Sequence, residues 1–465
     1  MRAMGRGREH GSSILVAALS SAFGVVLIQV TGALSFMISA DNIGRSTTVR
    51  MMLAIVAFVF IVIAVYVGSI VTVNTFATII AGRTRTIALL RLIGSSARAQ
   101  RRAVAAEGFW VGVVGASIGA LAGTAMSIGT VRIAVAQSVV PDLDYPLFDP
   151  LIAAPILIVV LSTWLASWVG SRRVLTVSPM QAVGASGELS REETLSRTGR
   201  NLTAVVLGVT GLLLLGGGVL LGLISPLGIL VGMVGGMLSF SGLILGSHLV
   251  MPSILRLTGR LLGRSASARL AAANALRYPE RSSRATIGLV IGVTLITMFA
   301  VAGASYQDMM ARAQAAQPEV YQGVDKVVAV TVAIFSVLIG FSALIAAVGM
   351  VNNLALSVLQ RTRELGLLRA LGFTAKQVRR MILAESTQMT IAAVGLGLIL
   401  GVFYGWAGAQ SLLGAQDGVG VIAPSIPWLL VVLCVVGAAA LTLAASVSPA
   451  RRATTVSPVV ALAAD

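Results

Sequence analysis

The sequence predicts an all-α integral membrane protein with about ten transmembrane helices. Of its 465 residues, 57% are hydrophobic and 11% are charged, which is more apolar surface than a soluble core of this length buries. The apolar residues form runs of roughly 20 or more, enough for a helix to cross a bilayer. Because lipid leaves no backbone polar group solvated, these runs are expected to be helical. The predicted spans are 13–39, 52–81, 104–131, 150–170, 202–224, 227–250, 285–303, 327–357, 384–411 and 428–448.

The basic residues predict the orientation. With a cytoplasmic N-terminus, 29 of the 34 Lys and Arg residues fall in inner segments, and the outer side keeps Arg45, Arg50, Arg132, Arg312 and Lys326. Basic residues concentrate in cytoplasmic loops, so both termini are predicted to be cytoplasmic in a bacterial plasma membrane. The net charge of +17 is thus explained by the basic residues of the cytoplasmic segments, which set the membrane topology. Membrane lipids are therefore expected partners, and nucleic acid is not.

An internal repeat divides the chain into two related halves. Residues 73–123 align without gaps on 351–401, and 17 of the 51 positions are identical. A second match pairs RRVLTVSPMQA at 172–182 with RRATTVSPVVA at 451–461. Each half therefore contains four spans, and two further spans join them. Since the numbers of spans are even, the halves share one orientation, as in a parallel repeat about an axis near the membrane normal.

This repeat sets the predicted domains. The first four-span unit occupies 1–185, a linker with the two joining spans occupies 186–251, and residues 252–465 hold an amphipathic helix followed by the second unit. Arg256, Arg260 and Arg264 recur every four residues, which favours an interfacial amphipathic helix, with an ordinary basic loop as the alternative. The outer loops are predicted to be short, the longest being 304–326.

The repeated segment has a pattern typical of a docking helix. The chain reads RTRTIALLRLIG after the second span and RTRELGLLRALG after the eighth, so leucines lie on one side and arginines on the other. Gly94 and Gly372 are placed to end these short helices as C-cap residues. An amphipathic helix of this kind suits a groove on a soluble partner. The alternative is a loop that only retains positive charge inside.

Two acids lie near the inner ends of the third and ninth spans. Glu107 and Glu385 occupy equivalent positions, and we interpret them as structural ion-pair partners of Arg102 and Arg380. A proton-relay role is the alternative, because acids within membranes are often functional.

The sequence contains no phosphate-binding loop of the Walker type. A phosphate-binding loop needs Gly-Lys-Ser/Thr, but the two lysines, Lys326 and Lys376, follow Asp325 and Ala375. One cysteine, Cys434, cannot form a disulfide within the chain or a cysteine metal cluster. The chain is thus predicted to be no enzyme and to hold no cofactor or metal of its own.

The segments RTRELGLLRALGFTAKQVRRMILAES, ARRATTVSPVVAL and NALRYPERSSRATIGLVIGV resemble the FtsX/MacB-like permease family of ABC transporters. The resemblance implies two four-helix FtsX-like units and contact with a dimer of separate cytoplasmic ATP-binding cassette subunits, which would bind ATP and Mg. It assigns coupling to that ATPase partner to the following residues: Arg83, Arg85, Leu90, Arg91, Gly94, Arg361, Arg363, Glu364, Leu368, Arg369 and Gly372.

The sequence departs from the family pattern in two places. In the first copy, Thr86 and Ala88 stand where the family pattern has Glu and Gly. The short loops 40–51 and 304–326 stand where members carry a large extracytoplasmic domain. The expected function is a permease that exports or extracts an amphipathic substrate such as a lipid, peptide or drug. The alternatives are a regulatory protein that controls an envelope partner without moving cargo, and an ion-driven secondary transporter, which needs polar residues at mid-membrane.

Overall fold

The computed structural model describes residues 2–40, 93–136, 150–171, 198–260, 279–319 and 367–455, with isolated positions within 55–89 and 269–273, residue 143 and part of 328–347. All regular structure among these residues is helical, which confirms the predicted all-α class. The helices are α1 (Arg2–Ala40), α2 (Ala97–Ala136), α3 (Ala153–Gly170), α4 (Thr198–Gly222), α5 (Gly228–Leu245), α6 (Ser247–Gly259), α7 (Pro279–Ala316), α8 (Ala375–Leu413) and α9 (Trp428–Thr455).

Seven of these helices, α1 to α5 with α7 and α8, are long and apolar enough to cross a membrane. They coincide with seven of the predicted spans, so the chain is a multi-pass membrane protein. Shorter apolar helices at Phe335–Leu344 and Trp428–Ala444 fall within the predicted eighth and tenth spans. Most of the second span lies outside the described residues, and the count of ten stays a prediction.

The prediction of an outer loop over 304–326 is wrong for its first part, because α7 continues as a helix to Ala316. Hydropathy falls after position 303, where Tyr306, Gln307 and Asp308 follow the apolar run, but these residues do not stop a helix. Met309 and Ala313 of this extension are buried against Val419 and Ile422. The extension and residues 414–427 thus form one small packed cap at this end of the molecule.

Glycines allow the long helices of each half to cross at close range. A Cβ added at Gly119 of α2 would overlap the carbonyl oxygen of Ala18 in α1, and one at Gly123 would lie 2.8 Å from that of Ala22. In the second half, a Cβ at Gly401 of α8 would lie 2.8 Å from the carbonyl oxygen of Thr294 in α7. Small residues at such crossings are how membrane helices pack without a hydrophobic driving force.

The two joining helices, α4 and α5, form a hairpin that packs against α8 of the second half. A Cβ at Gly222 of α4 would lie 2.5 Å from Cα of Ser411 in α8. The hydroxyl groups of Ser239 in α5 and Tyr404 in α8 are 2.9 Å apart and share a hydrogen bond. Tyr66, from the second span, donates a hydrogen bond of 2.7 Å to the carbonyl oxygen of Met237. The hairpin is therefore bonded to both halves.

The predicted amphipathic helix begins five residues earlier than expected, because α6 starts at Ser247 after a break at Gly246. Its buried face carries Met251 and Leu255, both fully buried, whereas Leu257 is exposed. Arg264 of the predicted basic face lies outside the described residues. The amphipathic character is thus observed for 247–259, with the buried side facing the helices of the second half.

Candidate functional site

The second copy of the repeated segment ends in a hydrogen-bonded turn of defined geometry. The Phe373 amide donates to the carbonyl oxygen of Leu368 at 3.0 Å, and the Gly372 amide donates to that of Arg369 at 3.1 Å. These are the two bonds of a Schellman motif, and Gly372 has the left-handed φ of 100° that the motif requires. A Cβ at Gly372 would meet no atom within 4 Å, so backbone conformation and not space selects glycine here.

The turn passes directly into the next long helix. Thr374 is the N-cap of α8, and its hydroxyl accepts from the Gln377 amide while the Gln377 side chain accepts from the Thr374 amide. This reciprocal capping box satisfies two amides that the helix start would leave unpaired. Leu368 and Phe373 both pack on Val378 and its neighbours on α8. The turn is therefore attached to α8 by bonds and by packing.

The first copy matches the second at its described residues, which are Leu89 and 93–96 in this part of the chain. Gly94 has the same φ of 100°, and the Ile93 amide donates to the carbonyl oxygen of Leu89 at 3.2 Å. Ser96 caps α2 by accepting from the Ala99 amide at 3.2 Å. We call the segments 89–96 and 367–374 the repeated turns. Gly94 and Gly372 thus both have the positive φ expected of the helix-ending residues that the sequence predicts.

Both repeated turns expose apolar side chains at matching positions. Ile93 is 83% exposed and its counterpart Leu371 is 71% exposed. Leu89 and Leu367, one helical turn earlier, are also exposed. The four side chains form two small apolar patches, one on each copy. Leu368, one of the predicted contact residues, is half-buried and packs against α8. Its part in a contact stays a prediction.

The remaining predicted contact residues are only partly visible. Arg369 lies in the second turn and is half-buried. Seven residues lie outside the described part of the chain, namely Arg83, Arg85, Leu90, Arg91, Arg361, Arg363 and Glu364. The exposed residues Ile93 and Leu371 were not among the contact residues predicted from the sequence. The signal was present, since each is the apolar residue directly before the glycine and lies four positions after a leucine.

The two equivalent acids sit at different depths. Glu385 is 4% exposed and lies within the buried face of α8, whereas Glu107 of α2 is half-buried. Arg102 and Arg380 are both exposed, each in the second turn of its helix. Pairing of Glu107 with Arg102, and of Glu385 with Arg380, stays a prediction.

Replacing Gly372 by alanine tests whether the positive φ of this turn requires glycine. A non-glycine residue at positive φ costs about 1 to 2 kcal/mol, so Gly372→Ala is expected to lower the midpoint of thermal unfolding of the purified protein in detergent. Gly395→Ala is the matched control, because Gly395 lies inside α8 at helical φ and a Cβ there meets open space. Alanine at an interior helical site favours the helix by roughly 0.5 to 1 kcal/mol, so the control is expected to rise or stay level. Equal effects at both sites would contradict the assignment.

The fold and these turns define a class of protein, namely a multi-pass membrane protein made of a repeated helical unit with a turn at one end of each copy. A family model described as FtsX-like permease C-terminal matches twice, over residues 58–179 and 336–458. Together the matches cover more than half of the chain, and each contains one repeated turn. The chain belongs to the FtsX-like permease family.

Individual relatives match over shorter stretches. The uncharacterized ABC transporter permease YknZ of Bacillus subtilis is 34% identical over 100 residues, which are 22% of this chain and 24% of YknZ. The ABC transporter permease YtrF of the same organism is 28% identical over 127 residues, 26% of this chain and 29% of YtrF. The macrolide export ATP-binding/permease protein MacB of Chlorobium phaeobacteroides is 35% identical over 119 residues, 24% of this chain and 16% of MacB. The matches thus span less than a third of each relative.

Proposed function

We propose that this chain is the permease subunit of an ABC transporter and that the repeated turns are its contacts with a dimer of separate cytoplasmic ATP-binding subunits. The observation that carries the proposal is the pair of exposed apolar patches at Ile93 and Leu371. An apolar side chain on a helix-ending turn is a natural anchor for a groove on a soluble protein. Two equivalent patches call for two equivalent partner subunits, with both chain termini on the same cytoplasmic side.

The attachment of the turns suits the transmission of movement. In the second copy, the Schellman bonds, the capping box and the packing of Phe373 fix the turn to α8. The glycines of α8 fix that helix in turn against α7 at close range. A displacement of the turn by a partner would therefore move the start of α8, and the tight crossing would carry the movement to α7.

The proposed cargo is an amphipathic molecule such as a lipid, peptide or drug, which the transporter exports or extracts from the membrane. The apolar windows of the seven candidate spans carry at most two charged residues each. Such spans offer little to a small ion or a highly polar solute at mid-membrane, which disfavours an ion-driven secondary transporter. The macrolide export activity in the name of MacB is of the same chemical kind.

The regulatory alternative is favoured by the cap formed by the end of α7 and residues 414–427. Gln410 of α8 donates to the carbonyl oxygen of Gly420 at 2.6 Å and accepts from the Ile422 amide at 3.2 Å. The Ser425 amide donates to the Ser305 hydroxyl at 3.2 Å. Movement of α7 and α8 would therefore reach this surface, where an envelope partner could respond without transport of cargo.

Co-purification from native membranes in mild detergent tests the proposal. A nucleotide-binding subunit is expected at about two copies per permease, with ATPase activity in the same fraction, because each repeated turn supplies one contact. Arg91→Glu and Arg369→Glu reverse one charge within each repeated turn and are expected to lose the subunit. If the folded permease carries no ATPase, the coupling role is wrong. If ATPase is present, stimulation by amphipathic compounds separates transport from the regulatory alternative.

A further inference from the structure

A cavity of about 780 Å³ opens between α2 and α3, close to the first repeated turn. The two helices are antiparallel, since a Cβ at Gly112 would lie 3.2 Å from Cα of Val160 and Gly108 packs against Ser167. Among the described residues that line the cavity are three arginines and three of the chain's five tryptophans, and none is a carboxylate. These six residues are Arg98, Arg101, Arg102, Trp110, Trp164 and Trp168.

The lining changes character along the helices. The three arginines come from the first two turns of α2, at the end predicted to lie at the cytoplasmic membrane surface. Phe109 and Trp110 lie about two to three turns further along α2, and Leu161 faces them from α3. All three are exposed on helices that are apolar enough to cross a membrane. One end of the cavity is cationic, and the other is apolar and open to the lipid phase.

Arg101 lies at the cationic end, and two nitrogens of its guanidinium lack hydrogen-bond partners among the described residues. Its guanidinium carbon lies 4.3 Å from the ring centroid of Trp168, a distance typical of a cation–π contact. That contact fixes the guanidinium over the ring but uses none of its N–H donors. Nε and Nη2 are buried and have no hydrogen-bond partner among the described residues. Guanidinium donors of this kind match the oxygens of a phosphate group.

The second half carries the same charges but not the same cavity lining. Lys376, Arg379 and Arg380 are the counterparts of the three arginines. The counterpart of Trp110 is Gln388, which is fully buried and donates a hydrogen bond of 2.7 Å to the carbonyl oxygen of Leu255 in α6. Helix α6 therefore covers the surface of α8 that corresponds to the cavity wall on α2. The tryptophan-lined cavity is a feature of the first half.

We propose that this cavity binds one anionic phospholipid, with its phosphate on Arg98, Arg101 and Arg102 and an acyl chain along Phe109, Trp110 and Leu161. Basic pockets between membrane helices on the cytoplasmic side suit anionic head groups. The gradient from cationic to apolar lining follows that of a lipid from head group to chain. The three arginines make the electrostatic potential at this end of the cavity positive. An anionic head group is therefore expected to bind more tightly than a zwitterionic head group on a lipid with the same acyl chains.

Native mass spectrometry of the full chain in mild detergent tests this site. The probes are 1-palmitoyl-2-oleoyl-phosphatidylglycerol and the phosphatidylcholine with the same acyl chains. The wild type is expected to retain one phosphatidylglycerol in preference to phosphatidylcholine. The double variant Arg98→Gln/Arg101→Gln is expected to weaken that retention by roughly fivefold per charge removed. The matched control Lys376→Gln/Arg379→Gln removes two charges at the equivalent positions and is expected to keep the preference.

Equal retention of both lipids by the wild type would overturn the proposal, and so would an equal loss in the control variant. A second measurement needs no variant, should the arginine changes prevent folding. In nanodiscs, phosphatidylglycerol with brominated acyl chains is expected to quench tryptophan fluorescence more than brominated phosphatidylcholine, because three of the five tryptophans line the cavity. Equal quenching by the two lipids would count against the site.

Discussion

The double variant Ile93→Asp/Leu371→Asp is expected to release the ATP-binding subunits from the permease. Both side chains are exposed, at 83% and 71%, so neither change disturbs the packing of the chain itself. Burial of such a side chain in a partner's groove stabilises a complex by about 2 kcal/mol, or roughly 30-fold in affinity. An aspartate in the same groove adds the cost of a buried unpaired charge. Co-purification and ATPase activity of the complex measure the effect.

The single variants and a matched control sharpen this prediction. Leu371→Asp alone is expected to leave the contact at Ile93 in place, so that the amount of bound subunit falls but is not abolished. Ile224→Asp is the control, because Ile224 is 81% exposed in the turn between α4 and α5, on the side predicted to be extracytoplasmic. Retention of the subunits by the double variant, or their loss in the Ile224 control, would show that the patches are not the contact.

The internal repeat made much of this site predictable. Hydrophobicity does not explain why certain glycines recur at a fixed offset in the two halves. In the structure, these glycines occupy positions that the backbone geometry restricts to glycine. Gly94 and Gly372 have the same positive φ, and Gly119, Gly123, Gly397 and Gly401 lie at the tight helix crossings. Glycine is selected at such positions by steric limits that act locally. A sequence comparison within the chain could therefore find them.

Other features depend on packing that a single stretch of sequence does not encode. Leucines in the repeated turns look alike in the sequence, yet Leu368 packs on α8 while Leu371 points away. The continuation of α7 to Ala316 was missed because hydropathy marks where the membrane ends, not where a helix ends. The cavity between α2 and α3 needs Trp168 and Arg101 side by side, which only the antiparallel register of two helices brings about.

Gly119→Ala and Gly401→Ala are expected to destabilise the fold of the first and second halves, each by about 3 kcal/mol, the upper end of the cost of overpacking. The added Cβ would overlap the Ala18 carbonyl oxygen in one case and the Thr297 side chain and Thr294 carbonyl oxygen in the other. A backbone carbonyl cannot rotate away as a side chain does, so the helices must separate. The loss of thermal stability and of the monodisperse peak in size-exclusion chromatography measures this effect.

Two glycines on the same helices provide the controls. A Cβ at Gly129 of α2, or at Gly408 of α8, would meet no atom within 4 Å. Gly129→Ala and Gly408→Ala therefore change helix propensity alone, which favours alanine by roughly 0.5 to 1 kcal/mol. Opposite signs within one helix would show that close approach of α1 to α2, and of α7 to α8, selects the repeated glycines. Destabilisation at all four positions would instead assign the effect to glycine flexibility, and the rigid crossings that carry movement from the repeated turns would lose their support.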